Sequence, residues 1–173
     1  MIEIRPETVD DIERIDEINR LAFEGEEESG LVRAIRNDPE FIPQLSLVAV
    51  KNDRVVGHIL FSAVKIMTSD GEVPALALAP MAVDPEYQNQ GVGSELVRSG
   101  LMACSQLGHK IIIVIGHPDY YPRFGFKPAR EFGLEVPFDA PDEAFLVLGL
   151  EPGVLNNVSG VVRYSSPFSS SLD

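Results

Sequence analysis

The stretch that decides the fold is Gln88–Leu101, QNQGVGSELVRSGL, in which two glycines stand directly before a helical pattern. Leu96, Val97 and Leu101 recur at helical spacing, and Gly108 fits the end of that helix. The segment before it, EVPALALAPMAVDP, predicts a long strand. A glycine turn between a strand and a helix either turns a corner or exposes backbone N–H groups to an anion.

The residues around these glycines exclude two common phosphate-binding loops. No Gly-Lys-Ser/Thr is present, which excludes a Walker loop, and Leu96 stands where the dinucleotide fingerprint requires a third small residue. What remains is Gln88-x-x-Gly91-x-Gly93, whose first helical amides and helix dipole can hold a phosphate without a lysine. A purely structural glycine turn is the alternative reading.

The N-terminal half predicts one strand, two helices and three antiparallel strands. IEIR alternates as a first strand, and Thr8 with Asp11 is typical of a helix start. The first helix has an apolar stripe, and an acidic turn leads to a second, shorter helix that ends before Pro39. LSLVAV, RVVGHILFSAVKIM and the long strand follow, with turns at Asn52-Asp53 and Ser69-Asp70-Gly71. The stripe consists of Val9, Ile12, Ile15, Ile18 and Ala22.

The C-terminal half completes an α/β fold. KIIIVIG predicts a strand buried on both faces beside a parallel neighbour. HPDYYPRFGF predicts a short helical turn, and EFGLEVPF and EAFLVLGLEPG predict later strands. The serine-rich VRYSSPFSSSLD is predicted to be loosely held. We expect a mixed central sheet of about seven strands with helices on both faces, in one domain over residues 1–165 with a tail at 166–173.

Composition narrows the possible functions. The formal charge of −13 argues against a surface that binds nucleic acid and suits a cationic substrate such as an amine. Cys104 lies in an apolar helical pattern, which indicates a buried filler, and the three histidines lack metal-ligand spacing. The N-terminus lacks a signal peptide, and no apolar run is long enough to span a bilayer. These features predict a soluble cytoplasmic protein without a metal or a membrane partner.

Two motifs together resemble those of the GNAT N-acetyltransferase superfamily. One is QNQGVG between the fourth strand and the third helix, and the other is Tyr121-Pro-Arg-Phe-Gly125-Phe126 after the fifth strand. One helix and one strand separate them, as in the family. The resemblance extends from IEIRP through FLVLGL and is strongest to predicted acetyltransferases of the YhbS type.

The resemblance implies an acetyl-CoA-dependent enzyme that transfers an acetyl group to a primary amine by direct attack, with CoA as a product. The pantetheine arm would pair with an exposed strand backbone like an added strand, and the pyrophosphate would lie on the amides of the glycine turn. Pro80 is compatible with a bulge where the family separates its fourth and fifth strands. The implied cofactor-binding residues are Met81, Ala82, Val83, Gln88, Asn89, Gln90, Gly91, Val92, Gly93 and Ser94.

The same resemblance implies a catalytic role for Tyr121 as the acid that protonates the departing thiolate. Tyr120 is the rival for this role. Some relatives carry a glutamate on the fourth strand as a base, but Ala77 stands at that place here. The possible substitutes are Glu24, Glu27, Glu28, or water relayed through His58.

Two alternatives to this activity remain open from the sequence. The chain could be a non-catalytic acyl-CoA-binding sensor or interaction module that keeps the cofactor site and lacks a base. It could also use a longer acyl donor. The acceptor is a small molecule or a peptide, and the family resemblance makes a homodimer through late strands such as EAFLVLGL possible.

Overall fold

A mixed sheet with helices on both faces forms the protein, as the sequence predicts. The computed structural model describes residues 1–165 and 167. Among these residues the helices are α1 (Ile12–Phe23), α2 (Glu27–Arg36) and α3 (Val92–Gln106). The strands are β1 (Glu3–Pro6), β2 (Ser46–Lys51), β3 (Arg54–Thr68), β4 (Gly71–Val83), β5 (Ile111–Ile115), β6 (Lys127–Pro128), β7 (Leu134–Glu135), β8 (Phe145–Gly149) and β9 (Gly160–Arg163).

The sheet has the order β1-β2-β3-β4-β5-β8-β6, and β9 pairs with the far end of β3 and with β7. Neighbouring strands are antiparallel except for β4 with β5 and β7 with β9. The predicted turns are confirmed. Asn52 and Asp53 have φ angles of 52° and 62°, the left-handed geometry that joins two strands through a two-residue hairpin. Gly71 has a φ of 124°, which a residue without Cβ adopts at little cost.

Two apolar layers cover the two faces of the sheet. Ile15 of α1 and Val32 of α2 belong to the layer on one face, while Leu96 of α3 belongs to the other. Cys104 is fully buried in the α3 layer, as predicted, and burial raises the pKa of its thiol to about 12. The predicted α1 stripe is wrong at its first member, because Val9 lies in a 3₁₀ turn before the helix and is 83% exposed.

The last third of the chain differs most from the sequence prediction. The sequence predicts about seven strands, and the structure has nine among the residues it describes. The difference includes β6 and β7, which have two residues each and therefore show little hydrophobic pattern in the sequence. Val162 was predicted in a loosely held tail, but it is fully buried in β9, where it pairs with Ile66 of β3. The predicted strand EFGLEVPF is a 3₁₀ turn, Ala129–Phe132, followed by β7.

Several predictions can be compared only with the residues that the structure describes. The predicted tail, residues 166–173, lies outside them apart from Pro167. Within the described part, no helix combines the length and apolarity needed to cross a membrane, and no group of three or more His, Cys, Asp or Glu side chains could hold a metal ion. The cytoplasmic location and the homodimer stay predictions.

Candidate active site

Strands β4 and β5 separate near the middle of the sheet and leave part of β4 without a neighbour on one side. They pair only at Leu76 with Ile112 and at Ala77 with Ile113. β4 nevertheless continues to Val83 and keeps β3 as its partner over that length. The backbone of Met81–Val83 therefore has no ladder partner on the β5 side in the part of the chain that the structure describes.

The predicted bulge at Pro80 is confirmed. The register between β3 and β4 shifts between Ile59, which pairs with Met81, and Phe61, which pairs with Leu78. Two β4 residues, Ala79 and Pro80, thus oppose one residue of β3, and the peptide bond between them is cis. A bulge bends the strand that carries it, which directs the end of β4 away from the regular sheet.

The loop after β4 leads into an α3 terminus with free backbone amides. Gly91 is the N-cap residue with a φ of 84°, and no side chain caps the helix. The first helical bond is donated by the Glu95 N–H to the Gly91 carbonyl, at 3.1 Å. The N–H groups of residues 92–94 have no acceptor among the described residues, an arrangement that together with the helix dipole can attract an anion.

The loop side chains leave this amide cluster open. The Gln88 amide donates to the Val83 carbonyl at 3.1 Å, and the Lys51 ammonium donates to Gln90 Oε1 at 2.9 Å. Asp84 holds the loop by accepting the Glu86 N–H at 2.9 Å. None of these three side chains hydrogen-bonds to the amides of residues 92–94.

A cavity of about 680 Å³ connects the unpaired end of β4 to these amides. It brings together nine of the ten predicted cofactor-binding residues, and Gln90, which points to Lys51, is the exception. Its other walls come from α1 and from the segment after β5. The lining residues are Ala22, Phe23, Met81, Ala82, Val83, Tyr87, Gln88, Asn89, Gly91, Val92, Gly93, Ser94, His117, Tyr120 and Arg123.

The two adjacent tyrosines lie in different environments. Tyr120 lines the cavity, and its hydroxyl is 3.3 Å from Ser94 Oγ. Tyr121, the predicted acid, is 7% exposed, packs its ring edge-on against Phe126, and does not line the cavity. Burial raises the pKa of the Tyr121 phenol well above its usual range, and nearby Tyr120 raises it further. The glycine at 116 makes room for the Tyr121 ring, since an added Cβ would lie 2.5 Å from Cε2.

Comparison with known proteins identifies the family. Residues 3–129 match the family described as Acetyltransferase (GNAT) domain. The chain belongs to the GNAT family. It is 35% identical over 167 residues to the Uncharacterized N-acetyltransferase YhbS of Escherichia coli K12, which covers 96% of this chain and 98% of that protein. It is 39% identical over 137 residues to the Uncharacterized N-acetyltransferase YjhQ of the same strain, covering 77% of this chain and 74% of that one.

Two solved GNAT structures are similar over nearly the whole chain. YhbS from Escherichia coli, solved in complex with CoA, has a TM-score of 0.89 and 32% identity, and the match covers 97% of this chain and 92% of that one. A GNAT acetyltransferase from Brucella melitensis, solved in complex with acetyl-CoA, has a TM-score of 0.79 and 29% identity, with coverages of 97% and 98%. These similarities confirm the GNAT resemblance and the fold expected from it.

Several cavity residues of this GNAT chain were not predicted from its sequence. Phe23 reaches the cavity from the end of α1, and Arg123 places its guanidinium 4.7 Å from the centre of the Tyr120 ring. His117 and Tyr87 also line it. Arg123 and His117 are close in sequence to the two tyrosines, so the tyrosine motif could have pointed to them as cavity residues. Phe23 could not be found in this way, because it is 65 residues before Gln88 and only the packing of α1 brings it to the cavity.

The predicted bases lie outside the cavity wall. Glu24 caps α1 in a left-handed conformation and Glu27 begins α2, and both are exposed. Glu28 is half-buried at the start of α2 and Ala77 is buried in β4. No carboxylate is among the described residues that line the cavity. His58 is buried in the layer between β3 and α1 and does not line the cavity either.

Proposed function

We propose that this GNAT acetyltransferase transfers an acetyl group from acetyl-CoA to a primary amine by direct attack, without an acyl-enzyme. The observation that carries the proposal is the single cavity that joins an unpaired β4 edge to free helical amides. An extended amide chain with a pyrophosphate at one end needs both features in one cavity. Cys104, the one cysteine, is buried away from the cavity with a raised pKa, so a thiol intermediate has no support.

In this proposal, acetyl-CoA spans the cavity from β4 to α3. The pantetheine amides bond to the backbone of Met81–Val83 as an added strand would, and the thioester lies in the gap between β4 and β5. The pyrophosphate accepts bonds from the amides of Val92, Gly93 and Ser94. Such a site needs no lysine, which explains how a chain with a net charge of −13 can bind an anionic cofactor.

We assign the role of acid to Tyr120. Its hydroxyl reaches the cavity beside Ser94, where it can donate a proton to a departing thiolate. The burial of Tyr121 among Phe126 and the β5 segment supports a packing role for that ring. We therefore propose Tyr120, in place of the expected Tyr121, as the acid that protonates the thiolate.

A second candidate is a non-catalytic acyl-CoA sensor. It is favoured by the lack of a carboxylate among the described residues of the cavity wall, because an alkylammonium acceptor must lose a proton before it can attack. A sensor would bind the cofactor and show no amine-dependent thiol release. We also propose a cytoplasmic location and a homodimer, although β8 lies between β5 and β6 and has no free edge for pairing along Lys127–Pro128.

Thiol release from acetyl-CoA tests the assignment with a panel of putrescine, tyramine, glucosamine and an alanine-initiated peptide. We expect amine-dependent turnover and a calorimetric affinity for acetyl-CoA. Tyr120→Phe should lower kcat about a hundredfold with little change in cofactor affinity, since it removes a proton donor and keeps the ring. Tyr121→Phe is the matched control and should retain most activity. The opposite ranking of the two variants would return the role to Tyr121.

A further inference from the structure

A buried polar cluster surrounds His58 beneath α1 and α2. The Ser46 hydroxyl donates to Glu7 Oε1 and lies 2.9 Å from His58 Nε2. Arg36 donates two hydrogen bonds to the Glu7 carboxylate, at 2.8 and 3.1 Å. Both His58 and Ser46 are completely buried. The arrangement links an imidazole through a hydroxyl to an ionised carboxylate, with no contact to bulk water at the ring.

The hydrogen bonds assign the histidine tautomer. Because the Ser46 hydroxyl proton is directed to Glu7, the Ser46 oxygen accepts from His58, and Nε2 therefore carries a proton. In the neutral ring Nδ1 then has a free lone pair. Nδ1 is buried and has no hydrogen-bond partner among the described residues. His58 thus presents an unused proton acceptor in the interior.

Two oxygens of α1 share this lack of a partner. Asp16 Oδ1 and Asn19 Oδ1 are buried without hydrogen bonds in the described part of the chain, although Asn19 Nδ2 donates to the Ile15 carbonyl. Buried polar atoms are almost always satisfied by protein or by ordered water. A water that donates to two acceptors fits a site with unpaired acceptors on α1 and on His58.

The cluster lies next to the cavity. Ala82, on the cavity wall, is the register partner of His58 across β3 and β4, and cross-strand partners share a face of the sheet. Asn19 is three and four residues before Ala22 and Phe23, which also line the cavity, so it occupies the preceding turn of the same α1 face. The ring is therefore one strand away from a cavity-lining alanine, and the unpaired Asn19 oxygen belongs to the helix turn next to the cavity.

We propose that His58 receives, through buried water, the proton that the acceptor amine loses, with Ser46 and Glu7 orienting the ring and stabilising its charged form. The inference rests on the proposed transferase function and supplies the missing base. The ammonium gives one proton to water, and that water gives one to His58 Nδ1, which leaves a free amine and an imidazolium. The amine lone pair then attacks the thioester carbonyl, the C–S bond breaks, the nitrogen loses its second proton to solvent, and the thiolate is protonated by Tyr120.

Burial favours a ring that is neutral before the reaction, and the nearest carboxylate favours its charged form. Burial lowers the pKa of His58, while Glu7 and the more distant Asp16 oppose this and Arg36 adds to it. Arg33, which lies 3.5 Å from Asp16 Oδ2, offsets part of the Asp16 charge. A neutral imidazole at pH 7 can accept a proton, and Glu7 stabilises the product of that transfer.

His58→Gln tests the inference, because the glutamine amide can keep a donor toward Ser46 and cannot accept a proton. With putrescine, an ammonium at pH 7, we expect the rate to fall about a hundredfold. With methoxyamine, whose conjugate acid is far more acidic than an alkylammonium so that the free amine predominates at that pH, the rate should change less than about twofold, as should the acetyl-CoA dissociation constant. The putrescine deficit should shrink as the pH approaches the amine pKa of about 10. His109→Gln, outside the cavity and the cluster, is the matched control.

Ser46→Ala gives a second test should His58→Gln fail to fold. It removes the hydroxyl that links the ring to Glu7 and should lower the putrescine rate about tenfold while leaving the methoxyamine rate nearly unchanged. Equal losses with both nucleophiles at all pH values, or no loss, would overturn the relay and leave the transferase in place. Absence of any amine-dependent turnover in the wild type would overturn both.

Discussion

Gly91 provides the sharpest test of the amide cluster, through the pair Gly91→Asp and Gly91→Asn. No atom lies within 4 Å of an added Cβ, and both variants place a Cβ on the same left-handed backbone, which costs roughly 1–2 kcal/mol. A carboxylate here would lie about 6 Å from a phosphate on the next three amides, where two unit charges repel by about 3 kcal/mol at an effective dielectric constant of 20.

Salt reduces that repulsion by about half at physiological ionic strength, where the Debye length is about 8 Å, which leaves about 1.3 kcal/mol or about a tenfold weaker affinity. Titration calorimetry with CoA should therefore give the highest affinity for the wild type and a lower one for Gly91→Asn, and the affinity of Gly91→Asp should be about tenfold below that of Gly91→Asn. Thermal melts should place the two variants within a few degrees of each other, since their backbone strain is shared. Equal CoA affinities for Asp and Asn would refute a pyrophosphate at this terminus.

Other features give quantitative expectations. Gly100→Ala should lower the free energy of unfolding by about 1–2 kcal/mol, because the added Cβ would lie 2.4 Å from Phe61 Cε1. Gly30→Ala has open space around the added Cβ and should raise the free energy of unfolding by up to about 1 kcal/mol. Urea titrations measure both changes. Burial alone would raise the pKa of Glu7, but its partners His58, Arg36 and Ser46 lower it from 4.5 to about 2. About 3 kcal/mol of stability is therefore present above pH 4.5 and lost as the pH falls toward 2, a loss that Glu7→Gln should not show in urea titrations across that range. Arg123→Gln should weaken CoA binding about fivefold at low salt and less at high salt, as measured by calorimetry.

Most of the correct predictions came from local sequence patterns. The hairpin turns, the bulge at Pro80, the start of α3 at the glycines and the burial of Cys104 all follow from residues close together in the chain. Glycine and proline restrict φ directly, and apolar periodicity reports which face of an element is covered. Such signals do not depend on where other elements pack.

The wrong or missing predictions concern residues whose positions depend on contacts with distant parts of the chain. β9 is held by β3 and β7, but its four residues stand directly before a serine-rich stretch that resembles a loose end. Phe23 enters the cavity because α1 packs against β3 and β4. Tyr120 and Tyr121 are adjacent, and a motif that matches one of them says little about which ring a short 3₁₀ turn directs to the cavity.

By itself, the sequence determined the family, the mixed α/β class, the amide turn at Gly91 and the absence of an available cysteine nucleophile. These are properties of short segments, so they can be deduced before the chain is folded. Tertiary structure alone decided that Tyr120 lines the cavity and that Glu7, Ser46 and His58 meet in the interior. Their positions depend on the packing of β1, β2, β3 and α1, which are separated by tens of residues, and no local propensity encodes that packing.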